Sequence, residues 1–150
     1  MSDLEIRRAT RDDVPFIVAM LRDDHLGAAR ESEPGDPVYL AAFADIAADP
    51  NQWLVVGVRA GEVVATMQLT IIPGLSRRGA RRALIEAVRV RSDLRGGGYG
   101  RILIGWAIDK ARAEGCVMVQ LTTDRSRVDA HRFYEGLGFE GSHLGYKLML

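Results

Sequence analysis

The chain has 150 residues, and its 20 basic and 20 acidic residues cancel to a formal charge of zero. That length fits one domain, and 47% hydrophobic with 27% charged residues is typical of a soluble protein. The neutral balance argues against a protein whose main task is to bind nucleic acid. One cysteine excludes an intrachain disulfide, and three scattered histidines form no spaced ligand motif, so we expect no metal.

No segment is typical of a membrane span or a secretory leader. The longest run without a charged residue, residues 63–76, is interrupted by Pro73 and Gly74 and is too short to cross a bilayer. The first eight residues also contain four charged ones, where a leader would need an apolar segment: Asp3, Glu5, Arg7 and Arg8. We therefore expect a cytoplasmic protein with a single domain over residues 1–150 and no membrane partner.

The first half of the chain predicts a strand, two helices and a meander. Alternating apolar and charged residues predict a strand over residues 4–9, and Thr10 with Asp13 forms a capping-box-like pair before an amphipathic helix. An acidic, glycine-containing loop over residues 23–36 precedes a helix over residues 38–48. Three apolar segments joined by short turns predict an antiparallel meander: residues 53–59, 63–72 and 83–90.

The pattern then changes to strand, helix, strand. Apolar residues at helical spacing predict a helix over residues 100–114, which Gly115 ends. The short apolar run over residues 117–122 predicts a strand covered on both faces. Together with the strand over residues 83–90, these elements form a βαβ unit whose two strands are parallel. The fold class is therefore α/β (α+β), a mixed sheet with an antiparallel meander, one parallel crossover and helices on both faces.

The C-terminal part predicts one more helix and two strands. Ser126 and Asp129 form a second capping-box-like pair before a helix that contains Phe133 and Tyr134. Residues 139–150 predict two final strands, which raises the sheet to about seven strands.

A glycine cluster between a strand and a helix is the most informative segment: Arg95-Gly96-Gly97-Gly98-Tyr99-Gly100. Helix N-termini present free N–H groups, and glycine lets an anion approach the backbone closely. A P-loop is excluded because no Gly-Lys-Ser/Thr follows, and no frame gives the glycine spacing of a dinucleotide-binding fingerprint. A flexible turn without a ligand is the alternative reading.

The pattern Arg95-x-x-Gly98-x-Gly100 resembles the Q/R-x-x-G-x-G/A loop of the GNAT superfamily of acyl-CoA-dependent N-acyltransferases. A second segment with an aromatic residue, Tyr134 and a following Gly138-Phe139 resembles that family's later signature. The order of predicted elements matches the family over nearly the whole chain. The resemblance implies a GNAT-like fold, acetyl-CoA as co-substrate and transfer of an acetyl group to a primary amine by direct attack.

The resemblance also implies which residues bind acetyl-CoA. Backbone amides of the glycine loop would hold the pyrophosphate, and two arginines could add charge-assisted contacts or be solvated surface charges. The loop residues concerned are Arg95, Gly96, Gly97, Gly98, Tyr99, Gly100 and Arg101. Main-chain groups of Val88 and Val90 would pair with the pantetheine arm, and the Val88 N–H would polarise the thioester carbonyl.

Two side chains are implied to handle protons. Glu86 is the candidate general base, and its place two residues from Val88 predicts that both side chains share one face of the strand. An ion pair with Arg82 or Arg89 is the alternative role for Glu86. Tyr134 is the candidate general acid for the departing thiolate, with simple core packing as its alternative.

Several questions stay open at the level of sequence. Acidic residues in the loop over residues 23–36 would favour a cationic amine acceptor, small molecule or protein, whereas the arginines within residues 77–82 would favour an anionic one. Those arginines lack the aromatic neighbours of a nucleic-acid site. Many members of the family that this chain resembles have an asparagine that contacts the cofactor seven residues before the tyrosine. Arg127 stands at that position here, so we do not assign it that contact. A CoA-binding sensor without turnover is the second candidate function, and a homodimer is left open.

Overall fold

The computed structural model describes residues 3–150, which contain a mixed sheet flanked by helices. The five strands lie in the order β1 (Glu5–Arg8), β2 (Gln52–Arg59), β3 (Glu62–Ile72), β4 (Arg81–Val90) and β5 (Cys116–Leu121). The first four strands pair antiparallel in succession, and β5 runs parallel to β4. The predicted mixed α/β fold is confirmed, but the described residues contain five strands and not seven.

Six helical segments accompany the sheet: α1 (Val14–Arg22), α2 (Gly27–Arg30), α3 (Pro37–Ala48), α4 (Ser76–Gly79), α5 (Tyr99–Ala113) and α6 (Val128–Gly136). Short 3-10 turns precede α1 and α5, at Arg11–Asp13 and Ser92–Leu94. Of these segments, α1, α3, α5 and α6 correspond to helices predicted from sequence.

The predicted capping pair at the start of α1 is confirmed. The Asp13 carboxylate accepts hydrogen bonds from the Thr10 backbone N–H at 2.7 Å and from its hydroxyl at 3.0 Å. Arg7 on β1 donates to both oxygens of the same carboxylate, at 2.7 and 3.1 Å. These hydrogen bonds, that from Arg7 first, hold the pKa of buried Asp13 below its usual range. The pair thus fastens the start of α1 to the edge of the sheet.

The core lies between the central strands and the two main helices. Side chains of β2, β3 and β4 meet the apolar stripes of α1 and α5, both of which pack on β3 and β4. The largest fully buried side chains are Met67, Leu69, Leu103, Ile104, Val18, Val55, Val56, Val64 and Thr66. Trp106 of α5 meets Trp53 of β2 edge to face with ring centroids 6.4 Å apart, which places α5 on the sheet face that carries Trp53.

Two expectations for the C-terminal part are wrong. No residue of β5 is buried and Val117 is 64% exposed, so β5 is not covered on both faces. Residues 139–150 form no strand, and residues 140–150 are all exposed, so the two predicted final strands are missing. The chain divides into two compact units: one reaches to Gln120, and the other spans Leu121–Leu150. That the chain forms one domain stays a prediction.

Candidate active site

The middle of β4 departs from regular strand pairing. Thr66 pairs with Arg89 and Gln68 pairs with Glu86, so one residue of β3 faces two residues of β4. Within this bulge Ala87 takes the left-handed conformation, with φ of 53°. A bulge disrupts the hydrogen-bond ladder locally, and such left-handed non-glycine residues concentrate at functional sites. The bulge and the left-handed Ala87 therefore mark the middle of β4 as an irregular segment of the sheet.

The bulge also changes which side chains share a face. Thr66 and Gln68 lie on one face of β3, so their partners Arg89 and Glu86 lie on the corresponding face of β4. Val88, next to Arg89, then lies on the opposite face. The expectation that Glu86 and Val88 share a face is wrong, because the alternation of a strand does not continue through the left-handed residue between them.

The Glu86 side chain is exposed and forms no ion pair or hydrogen bond with another residue in the described part of the chain. Arg89 instead pairs with Asp24, with its Nε 3.0 Å from the carboxylate oxygen, and both side chains are nearly buried. Arg82 makes no ion pair with Glu86 either. The ion-pair alternative for Glu86 is therefore contradicted, and its carboxylate faces solvent.

A row of polar side chains lies beside Glu86 on the same face of the sheet. Gln52 Oε1 accepts hydrogen bonds from Gln68 Nε2 at 2.8 Å and from the Thr70 hydroxyl at 2.9 Å. Gln68 is the cross-strand partner of Glu86. The sequence does not predict this row, because Gln52 lies on β2 while Gln68 and Thr70 lie on β3, and none of the three belongs to a recognisable motif. Glu86 therefore has polar neighbours on its own face of the sheet.

The glycine loop forms an open helix N-terminus. Gly96 and Gly98 both take positive φ, 81° and 87°, which only glycine adopts readily. Gly98 is the N-cap of α5, and no side chain caps the first turn of that helix. The first-turn N–H groups of the 15-residue helix therefore lack a side-chain acceptor, and an anion can approach them along exposed glycines.

The charged and aromatic members of the loop have different surroundings. Arg95 donates from Nη2 to the Asp23 backbone oxygen at 2.9 Å and from Nε to that of Val90 at 3.3 Å. Tyr99 donates its hydroxyl to Asp3 at 2.9 Å, and this hydrogen bond raises the pKa of Tyr99. Arg101 is exposed and makes no ion pair within the described residues. The structure thus ties Arg95 and Tyr99 to neighbouring segments and leaves Arg101 in solvent.

The loop between α1 and α2 is fastened to the end of β4. Asp24, besides its pair with Arg89, accepts from the backbone N–H groups of Leu26 and Gly27 at 2.8 and 2.6 Å. A side chain at Gly27 would overlap the backbone of α1, so this close approach requires glycine. Asp24 is therefore bound within the fold and is not free to attract a cationic acceptor.

Other acids of this segment are also engaged. Glu33 pairs with Arg22 at 3.0 Å, and Asp36 caps α3 by accepting from the Val38 N–H at 3.0 Å. The acidic composition of residues 23–36 is thus largely explained by local hydrogen bonds and ion pairs. It gives little support to an acceptor chosen for positive charge.

The arginine-rich turn between β3 and β4 is strained. Arg77, Arg78 and Gly79 in α4 all have positive φ, between 53° and 74°, so this short segment turns in the left-handed sense. In the adjoining strand, Arg81 donates to the Glu114 backbone oxygen at 2.9 Å. Arg82 is half-buried, and its buried Nε finds no hydrogen-bond partner in the described part of the chain. An unpaired buried guanidinium nitrogen calls for an explanation, and an anionic ligand would supply one.

The second compact unit contains Tyr134. Its ring meets Phe133 and Phe139 edge to face at centroid distances of 5.1 and 5.8 Å, and it is half-buried. The ring thus has the packing that periodicity predicts, while the hydroxyl distinguishes it from its phenylalanine neighbours. The structure does not test whether Tyr134 acts on a thiolate, which stays a prediction.

The segment before α6 differs from its prediction. The Ser126 hydroxyl donates to Asp124 at 2.6 Å, and the helix begins after Arg127 without a side-chain cap, so the Ser126–Asp129 capping pair is wrong. His131 Nε2 lies 3.0 Å from the Asp124 backbone oxygen, in keeping with a local structural role.

In the other unit, burial raises the pKa of the Cys116 thiol, which suits an inert side chain.

Two features are absent from residues 3–150. No helix there is long and apolar enough to cross a membrane. No group of three or more histidine, cysteine, aspartate or glutamate residues is arranged to hold a metal ion in that range.

Comparison with known proteins gives consistent matches. The sequence profile of the acetyltransferase (GNAT) family matches residues 15–139. The aminoalkylphosphonate N-acetyltransferase of Salmonella typhimurium is 30% identical over 142 residues, covering 95% of this chain and 88% of that protein. The glucosamine 6-phosphate N-acetyltransferase of Trypanosoma brucei brucei is 30% identical over 150 residues, covering 99% of this chain and 97% of that protein.

A crystal structure from Bacillus halodurans C-125, described as a transcriptional regulator, is 45% identical with a TM-score of 0.95, covering 98% of this chain and 99% of its own. The chain itself combines a mixed sheet, an open glycine loop at the N-terminus of α5 and a bulge in the preceding strand. The chain belongs to the GNAT acetyltransferase family. The two relatives named for an activity are both N-acetyltransferases.

Proposed function

We propose that this protein transfers the acetyl group of acetyl-CoA to the amine of a small acceptor that carries a phosphate or phosphonate group. The observation that carries the proposal is the pairing of an uncapped α5 N-terminus with a bulged β4 immediately before it. The first feature suits the pyrophosphate of CoA, and the second frees backbone groups for the thioester end.

Acetyl-CoA would bind mainly through the backbone. The N–H groups following Gly98 would donate to the pyrophosphate, and exposed Arg101 would add a charge-assisted contact. Arg95 would act chiefly by holding the α1–α2 loop against β4, since its guanidinium already donates to two backbone oxygens. The main chains of Val88 and Val90 would pair with the pantetheine arm.

The reaction would proceed by direct attack of the amine nitrogen on the thioester carbonyl. The C–N bond forms, the C–S bond breaks, and the Val88 N–H stabilises the negative charge that develops on the carbonyl oxygen. Glu86, directly or through water, accepts the proton that the ammonium group must lose. Tyr134 donates its hydroxyl proton to the departing CoA thiolate; the second proton that the nitrogen loses on forming the amide goes to water, from which Tyr134 is reprotonated. The exposed position of Glu86 beside Gln68 supports its access to a solvated amine.

The phosphate or phosphonate on the acceptor is inferred from two observations. The acceptors named for the two relatives, an aminoalkylphosphonate and glucosamine 6-phosphate, both join an amine to such a group. Arg82, whose Nε is buried and unpartnered among the described residues, lies on the same face of β4 as Glu86. The two residues are four positions apart, about 13 Å along a strand, and long side chains can shorten that span to the size of a small acceptor. Arg82 is therefore the candidate contact for the acceptor's anion.

Paired acceptors test this assignment. Release of CoA thiol should be measured with glucosamine 6-phosphate and glucosamine, and with a short aminoalkylphosphonate and the matching alkylamine. We expect the anionic member of each pair to have the higher kcat/KM, and Arg82→Gln to lower kcat/KM for that member alone.

Arg78→Gln is the matched control, since it removes an exposed arginine of the neighbouring turn. Equal kcat/KM within each pair would contradict the anionic acceptor class. An equal loss for both members in Arg82→Gln would contradict only the role of Arg82.

The second candidate function is a CoA-binding sensor without turnover. This second function is supported by the description of the similar Bacillus halodurans protein as a transcriptional regulator. Both candidates predict binding of acetyl-CoA, but only the enzyme predicts thiol release that depends on an added amine. Tight acetyl-CoA binding with no release across a broad amine panel would favour the sensor.

A further inference from the structure

The left-handed residue in the β4 bulge is not held by its own side chain. Ala87 has φ of 53° and is exposed, so packing of its methyl group does not fix this conformation. A strained residue of this kind persists only where its surroundings determine the backbone. Glu86 and Arg89 are paired with β3, but Ala87 and Val88 between them have no Cα partner in the register of those two described strands. A contact to the main chain between the two paired positions therefore has particular weight.

The Arg89 side chain makes such a contact. Its Nη1 donates to the backbone oxygen of Val88 at 2.9 Å, and its Nε lies 3.0 Å from a carboxylate oxygen of Asp24. The two side chains are only 13% and 11% exposed, so solvent screens the ion pair weakly. The planar guanidinium thus joins the main chain of the bulge to a carboxylate from the loop after α1. A lysine presents one nitrogen and lacks this rigid two-nitrogen arrangement.

Asp24 is itself fixed by the backbone around it. Its Oδ1 accepts from the N–H groups of Leu26 and Gly27 at 2.8 and 2.6 Å, and its Oδ2 faces Arg89. Gly27 lies so close to the backbone of α1 that a Cβ there would overlap it. A continuous series of contacts therefore runs from α1 through Asp24 and Arg89 to the main chain of Val88.

We propose that Asp24 and Arg89 are positioning residues, which hold the main chain of the β4 bulge so that the Val88 N–H is directed at the thioester carbonyl. The catalytic part of this inference rests on the proposed function, whereas the holding of the bulge concerns the fold alone. An N–H group stabilises a developing oxyanion well only when its direction is fixed before the reaction. A loosened bulge should therefore slow acetyl transfer more than it weakens binding of acetyl-CoA.

The conformation of residue 87 tests the holding of the bulge without any assay of activity. Arg89→Lys keeps a positive charge beside Asp24 but removes the guanidinium, and carbon chemical shifts measured by NMR report the backbone conformation of Ala87. We expect left-handed values in the wild type and a shift toward extended values in Arg89→Lys. If Arg89→Lys does not fold, Asp24→Asn, which has the same shape, takes its place. Unchanged shifts in the folded variant would overturn the proposal.

Kinetics in two backgrounds test the catalytic consequence. Arg89→Lys should lower kcat by roughly 10–100-fold, with the Kd for acetyl-CoA from titration calorimetry changed by roughly threefold or less. Glycine adopts positive φ without strain, so in an Ala87→Gly background the same substitution should lower kcat by roughly threefold or less. An equal loss of kcat in both backgrounds would overturn the proposal, because Arg89 would then act by another route than the bulge.

Arg91→Gln is the matched control. Arg91 follows β4 directly and pairs with Asp93 at 2.7 Å and with Glu62 at 3.3 Å, and none of its hydrogen bonds in the described chain reaches Val88. We expect its kcat to stay near the wild-type value, and a loss equal to that of Arg89→Lys would overturn the specific role of Arg89. A wild type that acetylates no amine would refute the proposed function instead, and the chemical shifts of residue 87 would then decide the holding of the bulge.

Discussion

Replacement of Gly98 by valine should separate binding of acetyl-CoA from folding. Gly98 has φ of +87°, and a Cβ built there meets no atom within 4 Å, so a β carbon fits at this position without a clash. The folding penalty is then backbone strain, about 1–2 kcal/mol for an L-residue in the left-handed region. Against a typical stability of about 5–15 kcal/mol, Gly98→Val should remain folded at 25 °C.

The expected loss of affinity is larger than the folding penalty. The new side chain stands at the N-cap of α5, where the pyrophosphate must approach the first-turn N–H groups. A hydrogen bond to a charged group contributes about 1.5–3 kcal/mol, so loss of two such bonds removes about 3–6 kcal/mol. Because about 1.4 kcal/mol corresponds to a tenfold change, the Kd for acetyl-CoA should rise more than 100-fold.

Gly115→Val is the control for backbone strain. Gly115 follows the other end of α5, with φ of +77° and likewise no atom within 4 Å of a built Cβ. Titration calorimetry with acetyl-CoA and urea unfolding should be run on both variants. We expect similar losses of stability and a loss of affinity in Gly98→Val alone. A folded Gly98→Val protein with wild-type Kd, or an equal loss of affinity in Gly115→Val, would refute the reasoning.

Three further predictions concern single side chains. Glu86→Gln should lower kcat by roughly 10²–10⁴-fold at unchanged acetyl-CoA affinity, as expected for a general base, and full turnover would make the carboxylate dispensable. Tyr134→Phe should lower kcat by a similar factor, roughly 10²–10⁴, with little change in Tm because the ring contacts persist, and a thioester with a more acidic thiol should partly restore the rate. Normal turnover by this variant would leave Tyr134 a packing residue only. Asp13→Asn should destabilise the fold by about 1–3 kcal/mol near neutral pH, because it weakens the bonds from Arg7 and Thr10. Since those bonds lower the folded pKa of Asp13, their contribution is complete above its unfolded pKa and is lost as the pH falls through the folded value. Urea unfolding should therefore show wild type and Asp13→Asn converging in acid, and a constant difference down to the lowest pH would contradict this.

Most of the fold could be predicted because its signals are local. Hydrophobic periodicity gave the strands of the meander and the helix α5 within one or two residues, and the Thr10–Asp13 pair marked the start of α1. Residues 139–150 could not be predicted in the same way. Their alternation predicts strands, but the structure has none there, because the pairing of a strand depends on a neighbour that the local pattern does not name.

The candidate site was predictable only in part for a similar reason. The glycine loop has a spacing that sequence reveals, and its left-handed glycines follow from that spacing. The bulge at Ala87 has no such signal, since alanine is not a residue that favours positive φ. The prediction that the Glu86 and Val88 side chains share one face of β4 is wrong because of that one residue, which interrupts the alternation of the strand. The pairing of Arg89 with Asp24 depends on tertiary contact between segments distant in sequence.

The most direct test of the account is a balance of products from one reaction mixture. The wild-type protein should be incubated with acetyl-CoA and glucosamine 6-phosphate or a short aminoalkylphosphonate, with CoA thiol measured by a colorimetric reagent and the acceptor by mass spectrometry. We expect thiol and N-acetylated acceptor to appear in equal amounts, and the rate to vanish without an amine. Binding of acetyl-CoA with no acetylated product from any amine, or thiol release that does not depend on the amine, would contradict the assignment as an N-acetyltransferase.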